Sequence, residues 1–153
     1  VIGLKYKISN IQAALGESQI DKIDYITKMK KNIFNHYKKY FSNSIFRLNK
    51  PEINSKSTYW MSTLNIRCPG LKKNFKERLI KFCLDKNIHL RPFFYPLSSM
   101  PMYKSKKGFK KSNANILSAT SVNLPSGYNL KEKDIRRVYY TIMQFLKLEK
   151  IKL

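Results

Sequence analysis

One stretch near the start of the chain decides how the fold is interpreted: Gly3-Leu4-Lys5-Tyr6-Lys7-Ile8-Ser9-Asn10-Ile11-Gln12-Ala13-Ala14-Leu15-Gly16. Ser9 followed three residues later by Gln12 is a capping-box pattern, which predicts a helix with Ser9 as its N-cap. A helix start presents unpaired N–H groups and the positive end of the helix dipole, and Lys5 and Lys7 come just before it. These features suit an anion such as a phosphate, although an ordinary helix after a solvated loop explains the same residues.

Apolar residues at helical spacing continue this pattern to about Phe41. They predict one long helix with a single apolar face, formed by Ile11, Leu15, Ile23, Ile26, Met29, Ile33, Tyr37 and Tyr40. We expect a helix of this length to lie across several elements of the domain or across a partner chain.

Strand-like and helical segments alternate in the rest of the chain. The predicted elements are a loop over 41–57, a strand over 58–68, a helix capped by Asn74 with Glu77, a strand over 88–91, a loop over 92–102, a helix over 113–120, a strand over 122–124, and a helix capped by Asn129 with Glu132 that ends near Leu148. This order predicts an α+β two-layer sandwich, in which helices cover one side of a small sheet.

The composition is that of one globular domain with a strong basic excess. The chain has 153 residues, of which 42% are hydrophobic, and it carries 31 basic against 9 acidic residues for a net charge of +22. Such a charge raises nucleic acid or an anionic membrane as partners. The lysines are spread along the whole chain, however, and the only tight basic run is 104–111. We therefore expect salt-sensitive adsorption to polyanions rather than specific nucleic-acid binding.

Other features of the composition bear on compartment and completeness. The two cysteines, Cys68 and Cys83, fit no metal-ligand spacing and are too few for a disulfide framework, which favours a reduced, cytoplasmic setting. No run of 18 apolar residues is present, so we expect no membrane span. The first residue is Val1 rather than Met, and we expect a processed chain or a piece of a longer protein.

A second informative segment is Arg91-Pro92-Phe93-Phe94-Tyr95-Pro96-Leu97. A guanidinium, three aromatic rings and rigid prolines can form a pocket for a planar or sugar-bearing anion, because the rings stack and the arginine pairs with phosphate. The rings could equally fill the core.

The two histidines, His36 and His89, have no cluster of carboxylates near them in sequence and are interpreted as ordinary surface or satisfied side chains. We find no metal motif, no glycine-rich phosphate loop and no nucleophile–base pair.

Together these segments resemble the C-terminal part of the DegT/DnrJ/EryC1/StrS family of pyridoxal phosphate (PLP) sugar aminotransferases, and among them the members that make amino sugars on nucleotide carriers, such as perosamine synthases. The matching residues, in order, are Gly3, Tyr6, Ser9-Asn10, Gln12-Ala13-Ala14, Gly16 and Gln19, then Thr58-Tyr59-Trp60, Arg91-Pro92 with Phe94-Tyr95-Pro96-Leu97, Ile116-Leu117-Ser118, and Val122-Asn123-Leu124-Pro125. The departures are Leu4 for an aromatic residue, Lys5 for Asn, Lys7 for Arg, Asn87 for Gly and Ser98 for His. Lys7 keeps the charge of arginine but not its planar fork.

The resemblance implies a fold and a division of the chain. Residues 1–41 would be the end of the large domain and the long linking helix of a fold-type I aminotransferase. Residues 42–153 would be its small C-terminal α+β domain, with a mainly antiparallel sheet. The lysine that forms the Schiff base would lie upstream of Gly3, so no catalytic residue is assigned in this chain and we expect it to be inactive alone.

The resemblance also implies ligands and site residues. The cofactor is PLP, held mainly by the upstream domain, with Lys7, Tyr6 and Asn10 as its contacts here and Lys7 reaching the phosphate across a homodimer. The substrates are glutamate and a nucleotide-linked keto-sugar, whose side of the cleft would be lined by Arg91, Phe94 and Tyr95. A nucleic-acid-binding protein and a catalytically dead remnant or dimerisation partner remain as alternatives, and so does a related sugar dehydratase.

Overall fold

The computed structural model describes residues 7–103 and 112–151, which form five helices and four strands. The elements are α1 (Asn10–Ile20), α2 (Ile23–Tyr40), β1 (Phe46–Leu48), β2 (Ser62–Ile66), α3 (Phe75–Leu84), β3 (Arg91–Pro92), α4 (Asn113–Thr120), β4 (Ser121–Leu124) and α5 (Glu132–Leu148). Two short 3-10 turns, Leu97–Ser99 and Pro101–Tyr103, follow β3.

The four strands form one antiparallel sheet in the order β1-β2-β4-β3. Side chains alternate between its two faces, so the register places Leu48, Leu64 and Val122 in one row across β1, β2 and β4. All three are buried, and they share a single hydrophobic core with residues of α2, α3 and α5. The expected α+β architecture, with a small antiparallel sheet and its main helices on one face, is confirmed.

The other face of the sheet is polar. Thr63, Asn65, Ser121 and Asn123 lie on it, and the side chains of the last three are nearly inaccessible to solvent. Their burial is compensated by hydrogen bonds: the Thr63 hydroxyl donates to Asn123 Oδ1 at 2.7 Å, and Asn65 Nδ2 donates to the hydroxyl of Ser121 at 2.9 Å. The hydroxyl of Thr120, at the end of α4, accepts a second bond from Asn65.

The predicted long helix is divided into α1 and α2. The backbone N–H of Lys22 bonds the carbonyl of Gln19, three residues back, and this interrupts the regular ladder at residues 21 and 22. The predicted start is correct, because Ser9 caps α1 and exchanges bonds with Gln12 in a full capping box. α1 buries none of its side chains, whereas α2 contributes Ile33, Phe34 and Tyr37 to the core.

Four other predictions of local structure were wrong. The strand predicted over 88–91 is displaced, because β3 comprises Arg91–Pro92. The predicted loop over 41–57 contains strand β1, whose alternation of buried and exposed residues is too short to identify a strand. Strand β2 begins at Ser62 instead of residue 58, because Tyr59 has a φ of 49°, outside the extended region. Neither predicted cap acts: Asn74 makes no capping bond, and at α5 the carboxylate of Asp134 instead accepts from the N–H of Lys131.

Candidate ligand-binding cleft

Strand β3 follows α3 in the chain and lies at the edge of the sheet, next to β4. Ile88 and Leu90 point into the core, whereas the alternate residues His89 and Arg91 are exposed. Arg91 pairs with Asn123 of β4, and Asn123 pairs with Thr63 of β2. The register therefore places a cation at the end of a row of hydrogen-bonded polar side chains.

Strand β3 forms one wall of a cleft. Helix α2 fixes the opposite wall by contacting the segment that precedes β2. The ring of Phe34 stacks on that of Tyr59 with centroids 4.0 Å apart. One turn earlier, Lys30 donates from Nζ to the backbone carbonyls of Trp60, at 3.3 Å, and of Ser126. One turn later, the hydroxyl of Tyr37 donates to the carbonyl of Pro125 at 2.9 Å. Three successive turns of α2 thus hold the loop that precedes β2 and the loop that follows β4.

Between these walls lies an open cleft of about 260 Å³. It is lined by Lys30, Trp60, Met61, His89, Arg91, Asn123, Leu124, Pro125, Ser126 and Gly127. Lys30 and Arg91 are cations, His89 becomes one when protonated, and none of the lining residues is acidic. Desolvation by its partial burial lowers the pKa of Lys30. The cleft is therefore suited to an anionic ligand.

An aromatic rim borders the cleft. Trp60, whose side chain is 64% exposed, stacks on Phe94 with centroids 6.3 Å apart and planes 26° apart. Phe93 meets Phe94 edge-on at 5.7 Å. Exposed rings held in a fixed orientation offer a stacking surface for a planar base or a sugar.

The structure separates the three predicted substrate residues. Arg91 lines the cleft and Phe94 touches it through Trp60, but the exposed ring of Tyr95 lies against a different partner. Its centroid is 5.0 Å from Nζ of Lys76, a buried lysine of α3 that donates to the carbonyl of Ser118 at 2.8 Å. Tyr95 is thus tied to the junction of α3 and α4 rather than to the cleft.

The predicted cofactor contacts lie at the other end of the chain. Lys7 and Asn10 are exposed at the start of α1, next to the capping box. Tyr6, the third predicted contact, is outside the described residues, as are Lys5 and the basic run 104–111. Ser98 lies half-buried in the first 3-10 turn.

Sequence reasoning missed Lys30 and His89. Lys30 is one of many lysines along the helical pattern, and only the fold brings it to the carbonyls of two distant loops. For His89 a signal existed: it stands two residues before Arg91, at the spacing that places both on the same face of an extended segment.

The described residues contain neither a candidate metal site nor a candidate membrane span. Within 7–103 and 112–151, no group of three or more His, Cys, Asp and Glu residues could hold a metal ion. None of the helices in these ranges is long and apolar enough to cross a lipid bilayer.

The small antiparallel sheet with its main helices on one face agrees with the fold found in part of several aminotransferases of known structure. The chain belongs to the DegT/DnrJ/EryC1/StrS aminotransferase family, whose model matches residues 1–143. It is 34% identical over 145 residues to the GDP-perosamine synthase of Escherichia coli O157:H7, covering 95% of this chain and 38% of that protein. The chain thus spans about two fifths of the length of this curated relative.

Two solved structures share the fold. PseC of Helicobacter pylori, an aminotransferase involved in the biosynthesis of pseudoaminic acid, is 18% identical with a TM-score of 0.76, over 96% of this chain and 40% of PseC. Spr1654 of Streptococcus pneumoniae, determined in its PLP form, is 19% identical with a TM-score of 0.78, over 92% of this chain and 36% of Spr1654. At these identities the match is evidence for the fold alone.

Proposed function

We propose that this chain is the C-terminal part of a PLP-dependent aminotransferase that transfers an amino group from glutamate to a nucleotide-linked keto-sugar. Family membership and the 34% identity to a GDP-perosamine synthase support the reaction class. The observation that carries the proposal is the position of Arg91, in a cleft without carboxylates, beside an exposed Trp60 stacked on Phe94. In this arrangement the arginine pairs with phosphate oxygens while the rings receive the base or the sugar.

The residues at the start of α1 fit the phosphate of PLP. The capping box uses the N–H groups of Ser9 and Gln12, and the first turn of a helix leaves further N–H groups without intrahelical acceptors. Lys7 adds an exposed positive charge immediately before them. In this proposal Lys7, Tyr6 and Asn10 contact the cofactor, which supplies the electron sink for amino transfer when bound. The Schiff-base lysine belongs to a segment upstream of this chain, so the chain by itself is inactive.

The exposed apolar residues of α1 support an association with further protein. Ile11, Leu15 and Ile20 are all more than half exposed, and α1 buries nothing. A helix of 11 residues is marginal in water without tertiary packing, so we infer that α1 packs on further protein. In our proposal residues 1–41 join the large domain and contact a second subunit, and residues 42–153 form the small domain. The same surface would serve a dead remnant that acts as a dimerisation partner in the cytoplasm.

A chimaera tests the proposed function. The large domain of the E. coli relative, joined ahead of Val1, should yield a protein that retains PLP, seen by its visible absorbance, and transfers nitrogen from glutamate to a keto-sugar nucleotide. Lys7→Ala should weaken PLP retention, whereas Lys28→Ala, which removes an equal charge from the exposed side of α2, should not. A folded, PLP-loaded chimaera that aminates no keto-sugar nucleotide would contradict the proposal, and unchanged PLP affinity in Lys7→Ala would remove Lys7 from the site.

A further inference from the structure

Lys30 is a partly buried cation without an acidic partner. Its ammonium bonds two backbone carbonyls, those of Trp60 and Ser126, which are neutral acceptors. None of the salt bridges among the described residues includes Lys30. Desolvation lowers its pKa, and no nearby carboxylate is there to reverse the shift. The positive charge of Lys30 is therefore uncompensated within the described part of the chain.

The same ammonium, which lines the cleft, still has bonding capacity. A lysine ammonium carries three N–H donors, of which the two carbonyls take two. Lys30 lines the cleft together with Arg91 and His89, and no acidic residue lines it. The third donor and the full charge are thus available to an anion that enters the cleft.

We propose that Lys30 is a phosphate-binding residue of this cleft and contacts the diphosphate group of the ligand together with Arg91. The two carbonyl bonds hold its ammonium in place, so little side-chain freedom is lost when the anion binds. The identity of the ligand as a nucleoside diphosphate derivative rests on the proposed function, but the phosphate contact does not.

The test uses inorganic pyrophosphate and the chain as it is. Trp60 is the only tryptophan, so its fluorescence reports on the cleft directly, and calorimetry gives the affinity independently. Lys30→Met should weaken pyrophosphate binding about ten- to a hundredfold, the usual range for losing a charge-assisted hydrogen bond. Lys30→Arg, which keeps the charge, should stay within about threefold of the wild type.

Two control variants separate phosphate contact from charge and from packing. Lys28→Met removes the same charge from an exposed position of α2 and should change the affinity less than twofold. Val138→Ala disturbs the core on α5 at a residue that does not line the cleft, without removing a charge, and should also leave the affinity nearly unchanged. Should Lys30→Met fail to fold, Lys30→Gln keeps a donor for the carbonyls without the charge and gives the same comparison.

The proposal is overturned if the wild-type chain does not bind pyrophosphate, if Lys28→Met weakens binding as much as Lys30→Met, or if Val138→Ala does. These outcomes are independent of amino transfer. If the chain binds pyrophosphate through Lys30 while the chimaera transfers no amino group, that pair of results would refute the proposed reaction but support the phosphate site.

Discussion

The rings of Phe34 and Tyr59 lie nearly parallel, with centroids 4.0 Å apart and planes 24° apart, although Tyr59 holds a positive φ of 49°. A left-handed backbone costs a non-glycine residue about 1–2 kcal/mol. The stacked ring and the burial of Phe34 offset this cost and fix the direction in which the next residue, Trp60, leaves the backbone. The strained turn and the exposed tryptophan are thus parts of one arrangement.

Replacing Phe34 by alanine should destabilise the fold and release the segment around Trp60. We expect a loss of about 3–5 kcal/mol in the free energy of unfolding, the usual cost of truncating a buried phenylalanine. Urea denaturation followed by Trp60 fluorescence measures it, and the native emission should shift to the red. Tyr25→Ala, at an exposed position of the same helix, should stay within about 0.5 kcal/mol of the wild type. Equal losses in both variants would contradict this account.

A bidentate ion pair should stabilise the junction of α3 and α5. Arg78 donates from both terminal nitrogens to the carboxylate of Glu149, at 2.8 and 2.9 Å. Because Arg78 is partly exposed, we expect Glu149→Gln to cost about 1–2 kcal/mol, at the lower end for charge-assisted bonds. A double-mutant cycle with Arg78→Lys should give a clear coupling energy, since lysine cannot form the fork. Additive effects would show that the pair contributes nothing.

Asn87 should tolerate glycine but not alanine. It has a φ of 55°, just after α3, where the N–H of Ile88 bonds the carbonyl of Cys83 at 2.9 Å and closes the helix. Asn87→Ala should cost about 1 kcal/mol in thermal or urea unfolding, because alanine resists the left-handed region. Asn87→Gly, the residue usual in the family pattern, should leave stability unchanged within about 0.5 kcal/mol. A stable alanine variant would argue that this backbone geometry is not retained.

Stability should fall in alkali because the Cys83 thiol is fully buried in the core. Burial raises the pKa of Cys83 to about 12 from an ordinary 9.0. The folded state then holds a proton that the unfolded chain releases, so the stabilisation is complete below pH 9.0 and is lost as pH rises toward about 12. Within that window the slope for one proton is about 1.4 kcal/mol per pH unit.

The free energy of unfolding, measured by denaturation at several pH values in this range, should fall less steeply with pH for Cys83→Ala than for the wild type. Cys68→Ala, which alters the half-buried second cysteine, serves as the matched control and should keep the wild-type slope. Burial also raises the pKa of Tyr37, so a residual loss should persist in Cys83→Ala. Identical slopes in the wild type and Cys83→Ala would contradict the expected role of the thiol.

The exposed Leu15 of α1 should promote self-association of the isolated chain without contributing to its stability. Leu15→Lys should lower the binding of a hydrophobic dye and reduce self-association in light scattering. The melting temperature should not change, because Leu15 contacts no core residue and α1 buries no side chain. A lower melting temperature would show that α1 packs on the rest of the chain.

The sequence was most informative where local rules act alone. The capping box at Ser9, the bounds of α4 and the end of α5 at Leu148 follow from residues close together in the chain, and all three were predicted correctly. Strand β1 was missed because alternation over three residues cannot be distinguished from chance. Asn74 and Asn129 carry capping signals, but neither side chain caps its helix.

By itself the sequence determined the family and the α+β class, because these depend on residue types in a fixed order. It also singled out Arg91 and the aromatic segment as candidate ligand contacts, which stay a prediction. Only the tertiary structure decided which groups meet. It placed Lys30 against the carbonyls of Trp60 and Ser126, thirty and ninety-six residues away, and it turned Tyr95 toward Lys76. Contacts between distant segments depend on how the helices and the sheet pack. The spacing of residues along the chain does not indicate these contacts.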